Sequence, residues 1–161
     1  MDTIDIKYFG RIDNPPQEEL YQASTFFQEA EVELDLNFFE HDIDPDWSEE
    51  LVEYLNQLSH FKKRIEKAIA SDYRDGGAVK EYIDYHIEDD PLILVDLFDD
   101  TSLESDKEQL INALKLEHIG FYPGEKNYAV WDFMIGREYT DMLIVVYTDN
   151  KGRIESVSWE S

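Results

Sequence analysis

The side chains of this chain with the most potential for chemistry are carboxylates. Counted from Asp42, oxygen-bearing groups fall at the first, third, fifth, seventh, ninth and twelfth positions of the stretch Asp42–Glu53, the spacing of a calcium loop of the EF-hand type. Against that reading, Trp47 stands at the sixth position, where the turn needs glycine. Glu49 stands at the eighth, where an apolar residue is wanted, and Pro45 stiffens the middle. The same residues make an acidic start to a helix. Asp46 or Ser48 would cap it, and Glu49 and Glu50 would sit at the positive end of its dipole.

The four histidines, His41, His60, His86 and His118, are far apart, and no two have the four-residue spacing of a metal-binding helix face. His86 follows Ile83 and Tyr82 on an apolar helical stripe, which favours an imidazole held by one hydrogen bond. Asp84, Glu88, Asp89 and Asp90 flank it, so a mixed histidine–carboxylate metal site stays open as the alternative. A metal-dependent enzyme or regulator would use His86 or the Asp42–Glu53 run. Catalytic motifs are missing: there is no cysteine, no Gly-x-Ser-x-Gly, no phosphate-binding glycine loop and no dinucleotide fingerprint. Carboxylate pairs carry no information here, because 38 acidic residues guarantee chance proximity. No catalytic residue, metal or cofactor is assigned, and the balance leans away from an enzyme.

Composition narrows the classes further. The chain has 161 residues, 38 acidic and 14 basic, for a net charge of −24, yet 42% is hydrophobic and 14% aromatic. Disordered chains of high charge are poor in aromatic residues, so this one is expected to fold, as a single domain over 1–161. The absence of cysteine excludes disulfide scaffolds and thiol chemistry. No apolar run approaches the roughly 20 residues that span a bilayer. The opening Met1-Asp2-Thr3-Ile4-Asp5 has neither the basic nor the apolar block of a signal peptide, so a cytoplasmic location is expected. Nucleic acid and anionic membranes are disfavoured, since phosphate contacts need a cationic surface. A charge of this size exceeds the magnitude of about 2–8 that solubility asks of a small domain. A basic protein partner would relieve the self-repulsion. The residues expected to meet it are Asp42, Asp44, Asp46, Glu49 and Glu50, with Asp89, Asp90, Asp99 and Asp100 as a second group. Residues 1–50 alone carry 15 acids and 2 bases.

The elements that must position these groups follow from hydrophobic spacing. Ile4, Ile6 and Tyr8 alternate with polar residues up to Gly10, and Asn14-Pro15-Pro16 marks a loop. A strand near 22–28 is weakly patterned. Val32, Leu34, Leu36 and Phe38 alternate with Glu31, Glu33, Asp35 and Asn37, the pattern of a strand with one solvated face. Leu51, Leu55, Leu58, Phe61, Ile65 and Ile69 then lie on one face of a single long helix ended by Gly76-Gly77. A second helix carries Val79, Tyr82, Ile83, His86 and Ile87. Pro91 suits the start of another, with 92–98 largely buried, and a last helix carries Leu110, Ile111 and Leu114. Strands return at 116–122, 128–135, 142–148 and 154–159, with Asp149-Asn150-Lys151-Gly152 as a hairpin turn. The expected class is α+β, with antiparallel strands at both ends of the chain packed on a central group of three to four helices.

Aromatic residues cluster in the first and last thirds and are expected mainly in the core. The adjacent pairs Phe26-Phe27 and Phe38-Phe39 must each send one ring outward if they lie on strands. Exposed rings beside acids have the composition of a protein-binding surface. The succession Tyr8-Phe9-Gly10-Arg11-Ile12, Val32 to Phe38, Leu55…Leu58…Phe61-Lys62-Lys63, Ala68…Asp72-Tyr73 and Glu81-Tyr82-Ile83…His86 resembles a bacterial family known only as a domain of unknown function. Phe121-Tyr122-Pro123 and Trp131-Asp132-Phe133 extend the likeness over most of the chain. The resemblance implies a small bacterial protein with no site residues to carry over. Its general make-up is similar to that of the immunity proteins of toxin systems.

Overall fold

In the computed structural model, the residues described are 2–27, 30–39, 43–93 and 107–160. The first strand, β1 (Asp2–Ile6), is followed by a tight turn and by β2 (Gly10–Asn14). Gly10, expected to end the first strand, takes a φ of 78° and begins the second. The two form an antiparallel ribbon with Ile4 opposite Ile12. Ile6 and Ile12 are buried, and Asn14 accepts a hydrogen bond from the Trp47 indole at 3.2 Å.

Strands from both ends of the chain join in one six-stranded sheet. Its members are β3 (Leu20–Phe27), β4 (Ala30–Asn37), β5 (Lys115–Phe121), β6 (Ala129–Met134), β7 (Leu143–Thr148) and β8 (Ile154–Glu160), ordered as they occur in sequence. Every neighbouring pair is antiparallel except β4 and β5, which run parallel. The expectation of a purely antiparallel sheet is corrected at that point. A crossover of helices separates the two strands and brings the chain back to the end where β4 began, which makes the pair parallel.

Those helices are α1 (Trp47–Leu55), α2 (Leu58–Arg74), α3 (Ala78–Asp89) and α4 (Lys107–Ala113). The single long helix expected from the apolar stripe is two, interrupted at Asn56-Gln57, where the N–H of Gln57 bonds the Tyr54 carbonyl three residues back. Leu92 is exposed and Ile93 buried. The remainder of the expected 92–98 helix lies outside the described residues. The helices cover one face of the sheet. Leu34 and Leu36 of β4, Ile119 and Phe121 of β5, Trp131 of β6, Val146 of β7 and Val157 of β8 follow one another across the sheet on that face. All but Val157 are fully buried, against Leu51, Tyr54, Phe61, Ile65 and Tyr82 of the helices.

One polar chain crosses this core. The Trp131 indole donates to the Tyr54 hydroxyl at 2.9 Å, and Thr148 Oγ1 donates to the Asp149 carbonyl at 3.1 Å. Tyr54 therefore donates to Thr148 Oγ1, 2.7 Å away. Burial pushes the Tyr54 pKa up to about 12, offset in part by its Thr148 and Trp131 hydrogen bonds, so the phenol stays a donor. At the β7–β8 turn, Gly152 takes a φ of 72° and lies against the Phe61 ring; a Cβ there would come within 2.4 Å of it. The Arg64 guanidinium holds the Gly152 carbonyl at 2.9 Å, tying this turn to α2.

Replacing Tyr54 by Phe strands the Trp131 N–H in the core and takes the incoming donor away from Thr148 Oγ1, which keeps its bond to the Asp149 carbonyl. Chemical denaturation should show a loss of about 1–3 kcal/mol. An unchanged midpoint and slope would mean that the chain of hydrogen bonds is not formed.

Candidate functional site

The second face of the six-stranded sheet is uncovered by any described helix. Alternation places Gln22, Ser24 and Phe26 of β3, Glu31, Glu33 and Asp35 of β4, His118 of β5, Val130 and Asp132 of β6, Leu143, Val145 and Tyr147 of β7, and Ser156, Ser158 and Glu160 of β8 on it. Register sets His118 beside Asp132 across the β5–β6 pair. A bulge between Leu116 and His118 shifts the phase so that both Leu116 and Ile119 face the core while His118 faces out.

His118 is held from both sides. Its Nδ1 lies 2.9 Å from Asp132 Oδ2, and its Nε2 bonds Asp35 Oδ2 on the other neighbouring strand. Both partners are carboxylates, so both ring nitrogens serve as donors and the ring is an imidazolium. Partial burial pulls the imidazole pKa down. The hydrogen bonds and charges of Asp132 and Asp35 outweigh that and raise it to about 9. The Asp35 carboxylate is itself fixed by Asn37, whose amide bridges Asp35 Oδ1 at 2.5 Å and the Phe121 carbonyl at 3.2 Å. Gly120 makes room for the cluster. A Cβ at that position would meet Asp35 Oδ1 at 2.9 Å, Tyr122 at 3.1 Å and His118 at 3.3 Å.

Beside the cluster run two adjoining concavities of about 390 and 380 Å3 that share Asp132 and Leu143. The first is lined also by Met134, Arg137 and Thr140, the second by Tyr122, Val130, Val145 and Tyr147. Burial raises the Tyr122 pKa, and the charges of Asp35 and Asp132 raise it further, so its phenol is protonated at neutral pH. With both imidazole N–H groups committed, His118 has no lone pair for general-base work near pH 7. The arrangement offers fixed charge, carboxylate acceptors and a shallow apolar floor.

The residues singled out in the sequence are placed elsewhere. Asp44, Asp46 and Glu49 are exposed around the start of α1, and Asp44 Oδ1 accepts the Asp46 N–H at 2.9 Å. Glu50 is half-buried and accepts from Asn150 of the β7–β8 turn at 3.1 Å. Trp47, at the sixth position of the would-be calcium loop, is 2% exposed and packs edge-on to Phe38, so this segment is the acidic start of a helix. Asp89 is exposed and Asp90 accepts the Leu92 N–H at 3.2 Å, at the far end of α3. Residue Tyr82 of that helix bonds the Met142 carbonyl just before β7, whereas Glu50 bonds the turn just after it. The described members of the two acidic groups therefore belong to elements anchored at opposite ends of β7. Asp42, Asp99 and Asp100 lie outside the described residues, as does His41. His86 is 3% exposed, and its Nδ1 donates to the Tyr82 carbonyl at 2.7 Å, the single hydrogen bond expected of a structural histidine. Among the described residues, no group of three or more histidines and carboxylates is arranged to hold a metal ion.

Asp35, His118 and Asp132 are not among the site residues expected from the sequence. Their signal was present: each is an ionisable residue on the polar phase of a strand, and Asp132 stands between Trp131 and Phe133. Phe26 and Phe39 are the outward rings of their pairs. Comparison of the chain with protein-family models, curated proteins and solved structures gave no match. No helix among the described residues is long and apolar enough to cross a membrane.

The raised His118 pKa fixes the sign of a pH dependence. The ring binds its proton more tightly in the folded chain, so its stabilisation is complete below the unfolded value near 6.5 and is lost as pH rises through about 9. The stability difference between the native protein and His118→Gln should be largest at pH 6 and below and shrink steadily toward pH 10. A difference that is flat with pH, or grows with it, would contradict the imidazolium assignment.

Proposed function

We propose that this protein is a non-enzymatic, acidic protein-binding module, an immunity-type inhibitor that covers a basic partner. The observation that carries this reading is the uncovered sheet face. Glu31, Glu33, Asp35, Asp132 and Glu160 occupy its strands, against the cations His118 and Lys115. Half-buried Val130, Leu143 and Tyr147 lie between the acids, over the buried Val145. Apolar anchors within a charged rim are the anatomy of a recognition surface. The net charge of −24 supplies long-range attraction for a cationic partner and speeds its arrival. The exposed Asp44, Asp46 and Glu49 add to that field from the end of the sheet. A cytoplasmic location and the resemblance to the bacterial domain family fit the same reading.

The test is affinity capture from the source organism's lysate on immobilised protein, washed across a salt ladder, followed by kinetics with the retained partner. A basic protein held at one-to-one stoichiometry and released steeply by salt is expected. Reversing Glu31, Glu33 and Glu160 to Lys should slow association roughly tenfold and flatten its salt dependence. Reversing Asp44, Asp46 and Glu49 should act more weakly. Equal rates for the native protein and the sheet-face variant would remove that face from the interface.

A further inference from the structure

The six-stranded sheet ends in β3 on one side and β8 on the other, and the two edges are built differently. Natural edge strands are guarded by charge, proline, irregular register or a covering element. β8 carries Glu155 and Glu160, has a register shift against β7, and packs Trp159 beneath Tyr82 and Tyr85 of α3. β3 reads Leu-Tyr-Gln-Ala-Ser-Thr-Phe-Phe, with no charge, no proline and an unbroken register against β4. The Phe38 N–H donates to the Glu19 carbonyl at 2.8 Å, in line with the Leu20–Asn37 register. Residues 19 and 38 are thus a hydrogen-bonded pair, and pairing alternates from there. Tyr21, Ala23, Thr25 and Phe27 turn their N–H and C=O toward β4. Leu20, Gln22, Ser24 and Phe26 turn theirs outward, and all four are exposed, with Phe26 66% exposed. No strand among the described residues pairs with that edge.

We propose that the outer edge of β3 takes up an extended, lysine- or arginine-bearing segment of a partner protein as a seventh strand. The inference rests on the reading of a basic partner and names the way it is held. Main-chain groups of the four outward residues would supply the ladder, and the exposed Phe26 ring an apolar contact. Charge decides between occupants. Glu18 and Glu19 precede β3, and Glu33 and Glu31 stand directly opposite Ser24 and Phe26 on β4. An added strand would lie about 9.5 Å from β4, within reach of long cationic side chains. A second copy paired antiparallel across this edge would bring Glu18 and Glu19 of one chain toward Glu31 and Glu33 of the other, with −24 on each molecule.

The probe is a blocked peptide of the length of β3 that alternates lysine with valine, with a glutamate-for-lysine version as its control. Binding is followed by amide chemical shifts and hydrogen exchange on the full chain. The lysine peptide should bind, protect the amides of Gln22, Ser24 and Phe26, and lose affinity about tenfold or more in Ser24→Pro. Proline at that position removes only an outward N–H and leaves the β3–β4 ladder intact. N-methylating the peptide amides that face β3 should weaken binding as much, with the protein itself untouched. The glutamate peptide should not bind. The edge assignment is overturned if the lysine peptide perturbs the sheet face and ignores both Ser24→Pro and N-methylation, an outcome that leaves the basic-partner reading standing. It is equally overturned by protection of the outward amides in the free chain, or by concentration-dependent dimers that Ser24→Pro dissolves. Absence of binding by either peptide overturns it as well. Failure of the salt-dependent capture would bring down the basic-partner reading on its own evidence.

Discussion

Strand β4 can run parallel to β5 only because the chain between them crosses over one face of the sheet as helices, and that pairing decides which surface is buried. Leu34 and Leu36 meet Ile119 and Phe121 on the covered side. On the other side the same two strands, with β6, are tied by Asp35, His118 and Asp132. Closing so long a loop is entropically costly and must be offset by contacts on the strands themselves. Parallel strands are usually covered on both faces. Here no described helix covers the outer face of the pair. The charged tie is itself largely shielded, with the side chains of His118, Asp35 and Asp132 only 26%, 20% and 18% exposed, so its charge-assisted hydrogen bonds meet little competition from water.

Much of this architecture was legible in the chain. The alternation over 31–38, the hairpin turn at 149–152 and the apolar stripe from Leu51 to Ile69 each marked an element and the side it buries. The neighbours of those elements were not legible. Alternation says which face a strand turns inward, but not which strand lies beside it. Asp35 and His118 are 83 residues apart, and nothing local links them. The break at Asn56-Gln57 was hidden because Leu55 and Leu58 preserve helical spacing across it. β2 leaves no pattern in the sequence, because its only buried strand position is Ile12. The site is built by single ionisable residues within strands, which carry little local signal beside the acidic runs.

Charge and shape bear on the same surface. The acids around α1 and α3 belong to elements anchored at opposite ends of β7 and act through the overall field, whereas those on the sheet are held at fixed positions by register. A field without fixed geometry accelerates encounters, and a fixed surface distinguishes partners. The imidazolium inside the sheet-face cluster matters for that rigidity. It offsets part of the negative charge of Asp35 and Asp132 while keeping both carboxylates in one orientation, beside the apolar floor formed by Val130, Leu143 and Val145.

The most direct measurement is a titration of the His118 ring nitrogens by 15N NMR between pH 5 and 10. The imidazolium tie requires both nitrogens to remain protonated through neutral pH, with a midpoint of about 9. A midpoint at or below the ordinary value of about 6.5 would contradict it and leave the β4–β5–β6 face without the charged clamp on which this account depends.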